Sequence, residues 1–211
     1  MLLCDIGNTN IHFYKEGMSW AKPANAKNID SIEEDFYYIC VNEKLKHRVE
    51  NLKNSIDLEP FFELDTIYEG LGVDRIAACS AVKNGIVVDA GSAITVDIMA
   101  NGIHLGGYIM PGLLSLQESF KNISPKLDVR INPNVSFDMI PQNTQEAISY
   151  GVVRPIVMML STTKKDKKIY FTGGDGKFFA KFFRDSIYDN TLVFRGMLKA
   201  IENLKQRKYE C

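Results

Sequence analysis

The sequence predicts an α/β chain built as two half-domains that face each other across a cleft. Three observations carry this expectation. Asp5-Ile6-Gly7-Asn8-Thr9 and Asp89-Ala90-Gly91-Ser92-Ala93 repeat one pattern (strand, Asp, any residue, Gly, small polar residue, strand) at a separation of 84 residues. Apolar runs suited to buried strands alternate with segments of helical spacing. The length of 211 residues falls between one and two domains of roughly 150 residues each, which two small halves, 1–84 and 85–211, would accommodate.

The elements follow in order. Leu2 to Ile6 reads as a strand, Gly7 to Asn10 as a turn and Ile11 to Tyr14 as a second strand, a hairpin with an acid at its mouth. Further strands are expected at Phe36 to Val41 and Phe61 to Leu64, with an amphipathic helix from Glu43 to about Leu52 between them. A helix opens near Asp74 and should carry Ile76, Ala77 and Ala81 inward. The second half restarts with Gly85 to Asp89, whose Ile86-Val87-Val88 suits a strand buried on both faces. After the turn Ala90-Gly91-Ser92 come strands Ile94 to Met99 and Ile103 to Ile109. Leu113 to Lys121 and Thr144 to Leu160 read as helices, the second kinked or split by Pro155. Lys168 to Phe171 is a strand running into Thr172-Gly173-Gly174, a helix follows, and Met197 to Lys208 forms the last helix.

Composition narrows the function classes. With 45% hydrophobic and 24% charged residues the chain is an ordinary globular protein, which excludes disordered, collagenous and coiled-coil readings. A formal charge of −1 and a pI near 6.3 provide no global field for nucleic acid or an anionic membrane. The cluster Lys164, Lys165, Lys167 and Lys168 reads as a solvated helix end. Cys4, Cys40, Cys79 and Cys211 show no CxxC pairing and no ligand spacing with the histidines, so free thiols in a reducing compartment are expected. The N-terminus lacks a basic n-region and the apolar stretch Val152 to Leu160 is interrupted and short, so no signal peptide, no membrane span and a cytoplasmic location are expected.

Several elements could carry chemistry. An Asp at a strand end followed by Gly lets the backbone turn tightly with its amides outward; with Asn8 and Thr9, or Ser92 and Thr95, such a turn becomes a phosphate cradle, and the carboxylates would hold cations. The competing reading is a pair of ordinary Asp-Gly hairpin turns. In Gly70-Leu71-Gly72-Val73-Asp74-Arg75 an acid and a base open a helix. They would set a proton acceptor beside an anion clamp, or Asp74 would simply cap the helix. Gly106-Gly107-Tyr108-Ile109-Met110-Pro111-Gly112 and Thr172-Gly173-Gly174 are tight turns or places where a flat purine could lie on bare backbone.

Taken in this order, Asp-Ile-Gly-Asn-Thr, Gly-Val-Asp-Arg, Asp-Ala-Gly-Ser-Ala-Ile-Thr-Val-Asp, Gly-Gly-Tyr-Ile-Met-Pro-Gly and Thr-Gly-Gly resemble the successive motifs of the type III pantothenate kinases, of the acetate and sugar kinase, Hsp70 and actin superfamily. The resemblance runs from Asp5 to Gly174. It implies two ribonuclease H-like, actin-like half-domains, mixed sheets flanked by helices, around a central nucleotide cleft. It implies ATP-dependent phosphorylation of pantothenate to 4′-phosphopantothenate, the entry to coenzyme A synthesis. A phosphatase or polyphosphate hydrolase of the same superfamily and a non-catalytic nucleotide-binding regulator are the alternatives.

Residue by residue, the resemblance assigns ATP to Asp5, Ile6, Gly7, Asn8, Thr9, Asn10, Ile11 and His12 and to the hydroxyl of Ser92. It assigns pantothenate to Tyr68, Gly72, Val73, Asp74, Arg75 and Thr144, with Asp74 as general base, and a monovalent cation (K⁺ or NH4⁺) to Asp89. Mg²⁺ would accompany ATP, and two copies would form a homodimer. The chain departs from the pattern in carrying Ser92 for the usual Thr and His12 where Lys is common. Tyr68 also lies unusually close to Gly72, and residues 20 to 60 are shortened.

Overall fold

The computed structural model describes residues 1–209; Cys211 lies outside them. One sheet holds β1 (Leu2–Ile6), β2 (Asn10–Lys15), β3 (Met18–Pro23), β4 (Phe36–Cys40) and β5 (Ser55–Asp57) in the order β3-β2-β1-β4-β5. The other holds β6 (Asp65–Thr66), β7 (Gly85–Ala90), β8 (Ala93–Ala100), β9 (Ile103–Pro111), β10 (Ile169–Thr172) and β11 (Ile187–Tyr188) in the order β11-β10-β7-β8-β9-β6. Apart from β6 the two sheets repeat one topology. In each, an antiparallel three-strand meander is followed by two strands parallel to its first.

The helices are α1 (Ala26–Asp30), α2 (Glu43–Glu50), α3 (Val73–Ser80), α4 (Leu113–Ile123), α5 (Thr144–Lys164), α6 (Gly176–Ala180) and α7 (Leu192–Tyr209). Strand periodicity sorts the core into layers. Leu2, Cys4 and Ile6 pack outward with Ile29, Leu45 and Val49 of α1 and α2. Ile86, Val88 and Ala90 pack outward with Ile148, Val152, Ile156 and Leu160 of α5. The intervening residues Leu3 and Val87 face a central layer made by α3 and α7. Those helices meet at Gly196, where a Cβ would collide with the Ala77 carbonyl.

Several expectations change. Phe61 to Leu64 is not a strand. Pro60 has no N–H to give a ladder, Glu59–Phe61 forms a 3₁₀ turn, and Phe61, Phe62 and Leu64 pack on the central core. The strands there are β5 and β6 on either side. Pro155 does not split α5: the buried face Ile148, Val152, Val153, Ile156, Val157 and Leu160 outweighs a lost bond of about 3 kcal/mol. The last helix begins at Leu192, five residues earlier than the Met197 periodicity implied, because Leu192, Val193 and Phe194 also enter the central core. In α3 it is Arg75, Ala77 and Ala78 that are buried, while Ile76 and Ala81 stay half-buried. β3 and α1 occupy the shortened region; the β2–β3 turn uses Glu16 (φ 52°) and Gly17 (φ 84°), the left-handed pair of a tight hairpin. No helix among the described residues is long and apolar enough to cross a membrane.

Candidate active site

The same alternation that buries Leu3 and Val87 centrally turns Asp5 and Asp89, two residues on, toward the central layer at the ends of β1 and β7. Asp74, in the first turn of α3, lies between the sheets. The three carboxylates converge. Burial holds the Asp5 carboxyl well above the ordinary range, with the charges of Asp74 and Asp89 adding to it. Asp89 is pushed up to about 7 by burial and then by Asp74 and Asp97. Asp74 is raised by burial too, offset by the Arg75 amide, which donates to Asp74 Oδ1 at 2.7 Å, and by the Arg75 charge. Three acids gathered with a single guanidinium nearby, itself paired with Asp97, are held together against their own repulsion, an arrangement that a bound cation would relieve.

The two Asp-x-Gly turns face each other: the Thr9 and Ser92 hydroxyls are 2.7 Å apart, joining residues 83 positions distant. Each turn is braced from behind. Buried Asn42 donates from its side-chain amide to the carbonyls of Gly7 (3.1 Å) and Asn8 (3.4 Å), while its oxygen accepts from the first amides of α2. The second turn is held by the Gly112 amide, which donates to the Ser92 carbonyl at 3.0 Å as α4 begins; a Cβ on Gly112 would overlap Gly91 and Ser92. Gly173 (φ 80°) closes against Asp89, where a Cβ would overlap the carboxylate.

Beyond Asp74 lies a polar network. Arg75, 6% exposed, donates from Nε (3.1 Å) and Nη2 (2.6 Å) to the two oxygens of Asp97. Its guanidinium carbon sits 4.8 Å from the centre of the Tyr68 ring.

The remaining expected residues are placed as follows. Ile6 and Ile11 are core residues of the hairpin whose turn brings Gly7, Asn8 and Asn10 to the cleft; the Gly7 amide donates to the Asn10 carbonyl at 3.0 Å. His12 pairs with Asp5 across β1–β2, and its partial burial lowers its pKa, so the ring is neutral at pH 7. Gly72 caps α3 without a side chain and Val73 is buried beneath it. Thr144 is the exposed first residue of α5, outside the contacts described above. Sequence reading gave no role to Asn42, Asp97, His104 or Thr66; the signal available for Asp97 was a carboxylate inside the buried strand Ile94 to Met99.

Paired sheets of repeated topology, with acidic turns meeting between them and helices packed around, define a protein of actin-like fold. Two distant structures share that fold: EutJ of Carboxydothermus hydrogenoformans (TM-score 0.52, 13% identity, 94% of this chain and 88% of that one) and MreB5 of Spiroplasma citri bound to ADP (TM-score 0.52, 9% identity, 100% and 98%). Residues 60–165 match the type III pantothenate kinase family. Type III pantothenate kinases of Wolinella succinogenes and Helicobacter hepaticus are each 50% identical to the chain, the first over 99% of it and 100% of the relative, the second over 96% and 98%. A crystal structure described as a Baf family transcriptional activator from Campylobacter jejuni superposes with a TM-score of 0.89 at 47% identity, covering 98% of this chain and 100% of that one. The chain belongs to the type III pantothenate kinase family.

Proposed function

We propose that the protein transfers the γ-phosphoryl group of ATP to the primary hydroxyl of pantothenate, giving 4′-phosphopantothenate, the first step of coenzyme A synthesis. The observation that carries this is the meeting of the Thr9 and Ser92 turns over three converging carboxylates. The turns, residues 5–12 and 92, hold the phosphates through outward amides and hydroxyls. Asp74 accepts the proton as the substrate oxygen bonds to phosphorus and the bond to the β-phosphate oxygen breaks. Its raised pKa, caused first by burial, suits a base working near neutral pH. Arg75 and Tyr68 line the acceptor side beside Gly72, with Val73 packed beneath; Thr144 is assigned to the substrate by the family resemblance alone.

Asp89 fits a monovalent cation: an anionic oxygen, packed against Gly173 and raised by neighbouring acids, is a donor that K⁺ or NH4⁺ would satisfy. Mg²⁺ bound with ATP supplies charge neutralisation on the phosphates. Two copies of the chain pair through β9. β6 covers only Ile103 and His104 of that strand, leaving the following edge open with Leu105 and Ile109 exposed and Ile67 beside it. The enzyme works in the cytoplasm, where Cys4, Cys40 and Cys79 stay as buried free thiols.

The test is ADP release in potassium buffer with and without pantothenate. Release that depends on pantothenate is the expected result; release unaffected by it favours a phosphatase. The name of the Campylobacter jejuni structure favours a second reading, a regulator of transcription. Retarded DNA in a gel shift at physiological salt, with no pantothenate-dependent turnover, would establish it.

A further inference from the structure

Behind Arg75 the structure holds a closed ring of contacts whose members Asp97, His104 and Thr66 have no part in the phosphoryl-transfer reading. Asp97 of β8 takes both Nε and Nη2 of Arg75. Its Oδ1 also meets His104 Nε2 of β9 at 2.8 Å, and His104 Nδ1 meets the Thr66 hydroxyl of β6 at 2.7 Å. The same Thr66 oxygen accepts the Tyr68 amide at 3.0 Å, the Tyr68 ring lies 5.8 Å from the His104 ring, and the Arg75 guanidinium lies over Tyr68. Asp97 and His104 are each 1% exposed.

Three features of the backbone are shaped around this ring. A register shift between Ile98 and Met99 lets His104 pair with Met99 while Gly106 pairs with Ile98, which throws Leu105 outward and brings His104 in beside Asp97. At Gly107, opposite Asp97, a Cβ would overlap the Val96 backbone carbonyl first, and would also stand 2.6 Å from Asp97 Oδ1 and 3.0 Å from Arg75 Nη2. β6 pairs with β9 only at Asp65 and Thr66, the length needed to set the Thr66 hydroxyl on His104. Cys79 approaches the same cluster, with its ligand atom and those of Asp97 and His104 all within 4.8 Å. The protein's own groups already occupy this cluster: both His104 ring nitrogens are engaged, by Asp97 and by Thr66, and the Asp97 charge is paired with the Arg75 guanidinium, which would repel a second cation.

We propose that Asp97 and His104 are positioning residues for the acceptor substrate, fixing the Arg75 guanidinium and the Tyr68 ring as a preformed wall beside Asp74. The inference rests on the kinase reading above. Of the five guanidinium N–H groups, Asp97 engages one on Nε and one on Nη2, leaving three to divide between Tyr68 and the acceptor. The paired charge of Asp97 makes Arg75 a hydrogen-bonding wall of fixed orientation instead of a free cationic clamp. His104 in turn fixes which way the carboxylate faces, and Thr66 fixes His104 and the Tyr68 backbone together.

The experiment compares wild type with Asp97→Asn, His104→Leu, His104→Gln and Thr66→Val in steady-state assays with both substrates varied. Expected are a rise in the pantothenate KM of roughly 10- to 100-fold for Asp97→Asn and His104→Leu, since a displacement of about 1 Å is costly at a reacting site. The ATP KM should stay within about threefold, and His104→Gln, which keeps a side-chain donor toward Asp97, should recover most of the loss. If Asp97→Asn fails to fold, the two His104 variants and Thr66→Val decide the matter. An unchanged pantothenate KM in variants that fold, or an equal rise for both substrates, overturns the proposal. A wild-type protein with no pantothenate-dependent turnover overturns the kinase reading instead.

Discussion

The acids of the cleft predict that Asp89→Asn stabilises the protein while disabling it. Asp89 titrates near 7 in the folded chain, raised first by burial and then by Asp74 and Asp97, against about 3.9 for a free aspartate. The folded state therefore holds a proton that the unfolded state has lost between those values. The corresponding stability is fully present below about pH 4 and is lost as pH rises through 7. At 1.36 kcal/mol per pH unit the full loss is about 4 kcal/mol, and solvent in the cleft lowers it to roughly 2–4 kcal/mol. Asparagine has the same shape and no charge, so at pH 8, without potassium or nucleotide, the variant should be more stable than wild type by that amount. For a chain of this size that is a melting temperature higher by roughly 4–16 °C. The gap should shrink steadily toward pH 5. Adding potassium at pH 8 should raise the wild-type melting temperature and leave the variant unmoved, because a ligand stabilises only the form that binds it. Melting curves over pH 5–8 in a buffer of bulky organic cations, with and without potassium, provide the assay. An Asp89→Asn advantage that is absent at pH 8, or equally large at pH 5, would refute the reasoning.

Three further outcomes follow from the geometry. Thr9→Val removes one of the facing hydroxyls and should raise the ATP KM by about three- to tenfold, worth roughly 1 kcal/mol, with the pantothenate KM unchanged in the same assay. Gly173→Ala forces a Cβ toward the Asp89 carboxylate at φ 80°, and should cost about 1–3 kcal/mol in denaturant unfolding together with the rate dependence on potassium. Gly196→Ala, at the contact of α3 with α7, should lower stability by about 1–3 kcal/mol, read from the denaturation midpoint, because the Ala77 carbonyl has no room to retreat.

The parts of this molecule that were legible in the chain are those whose meaning is local. Asp5-Ile6-Gly7 and Asp89-Ala90-Gly91 announce a strand end and a turn, and the repeat of that signal anticipates two sheets that share one strand order. Gly72 through Arg75 reads as a helix start, and α3 begins at Val73. What stayed hidden depends on facing. Gly106-Gly107 lies in β9 through its pairing with Ile98 and Asp97 of β8, and the Asp97–Arg75 pair beside Gly107 joins residues 22 apart, a contact that no local pattern encodes. The partnership of His104 with Thr66 needs β6, a two-residue strand too short to leave a periodic signal. Phe61 and Phe62 have strand propensity, yet the neighbouring Pro60 and the pull of the central core decide their conformation. Arg75 turns inward against its polarity because Asp97 waits there, and only the folded chain brings the two together.

The central claim is that one cleft holds ATP and aligns the pantothenate hydroxyl with Asp74. It is tested most directly by following 4′-phosphopantothenate formation by mass spectrometry, in potassium and Mg²⁺, for wild type and Asp74→Asn, with ATP binding measured on both. Product from the wild type, a rate lower by roughly 10²–10⁴ in the variant, and ATP affinity equal in the two are predicted for loss of a general base. Product formed by Asp74→Asn at the wild-type rate would contradict the account.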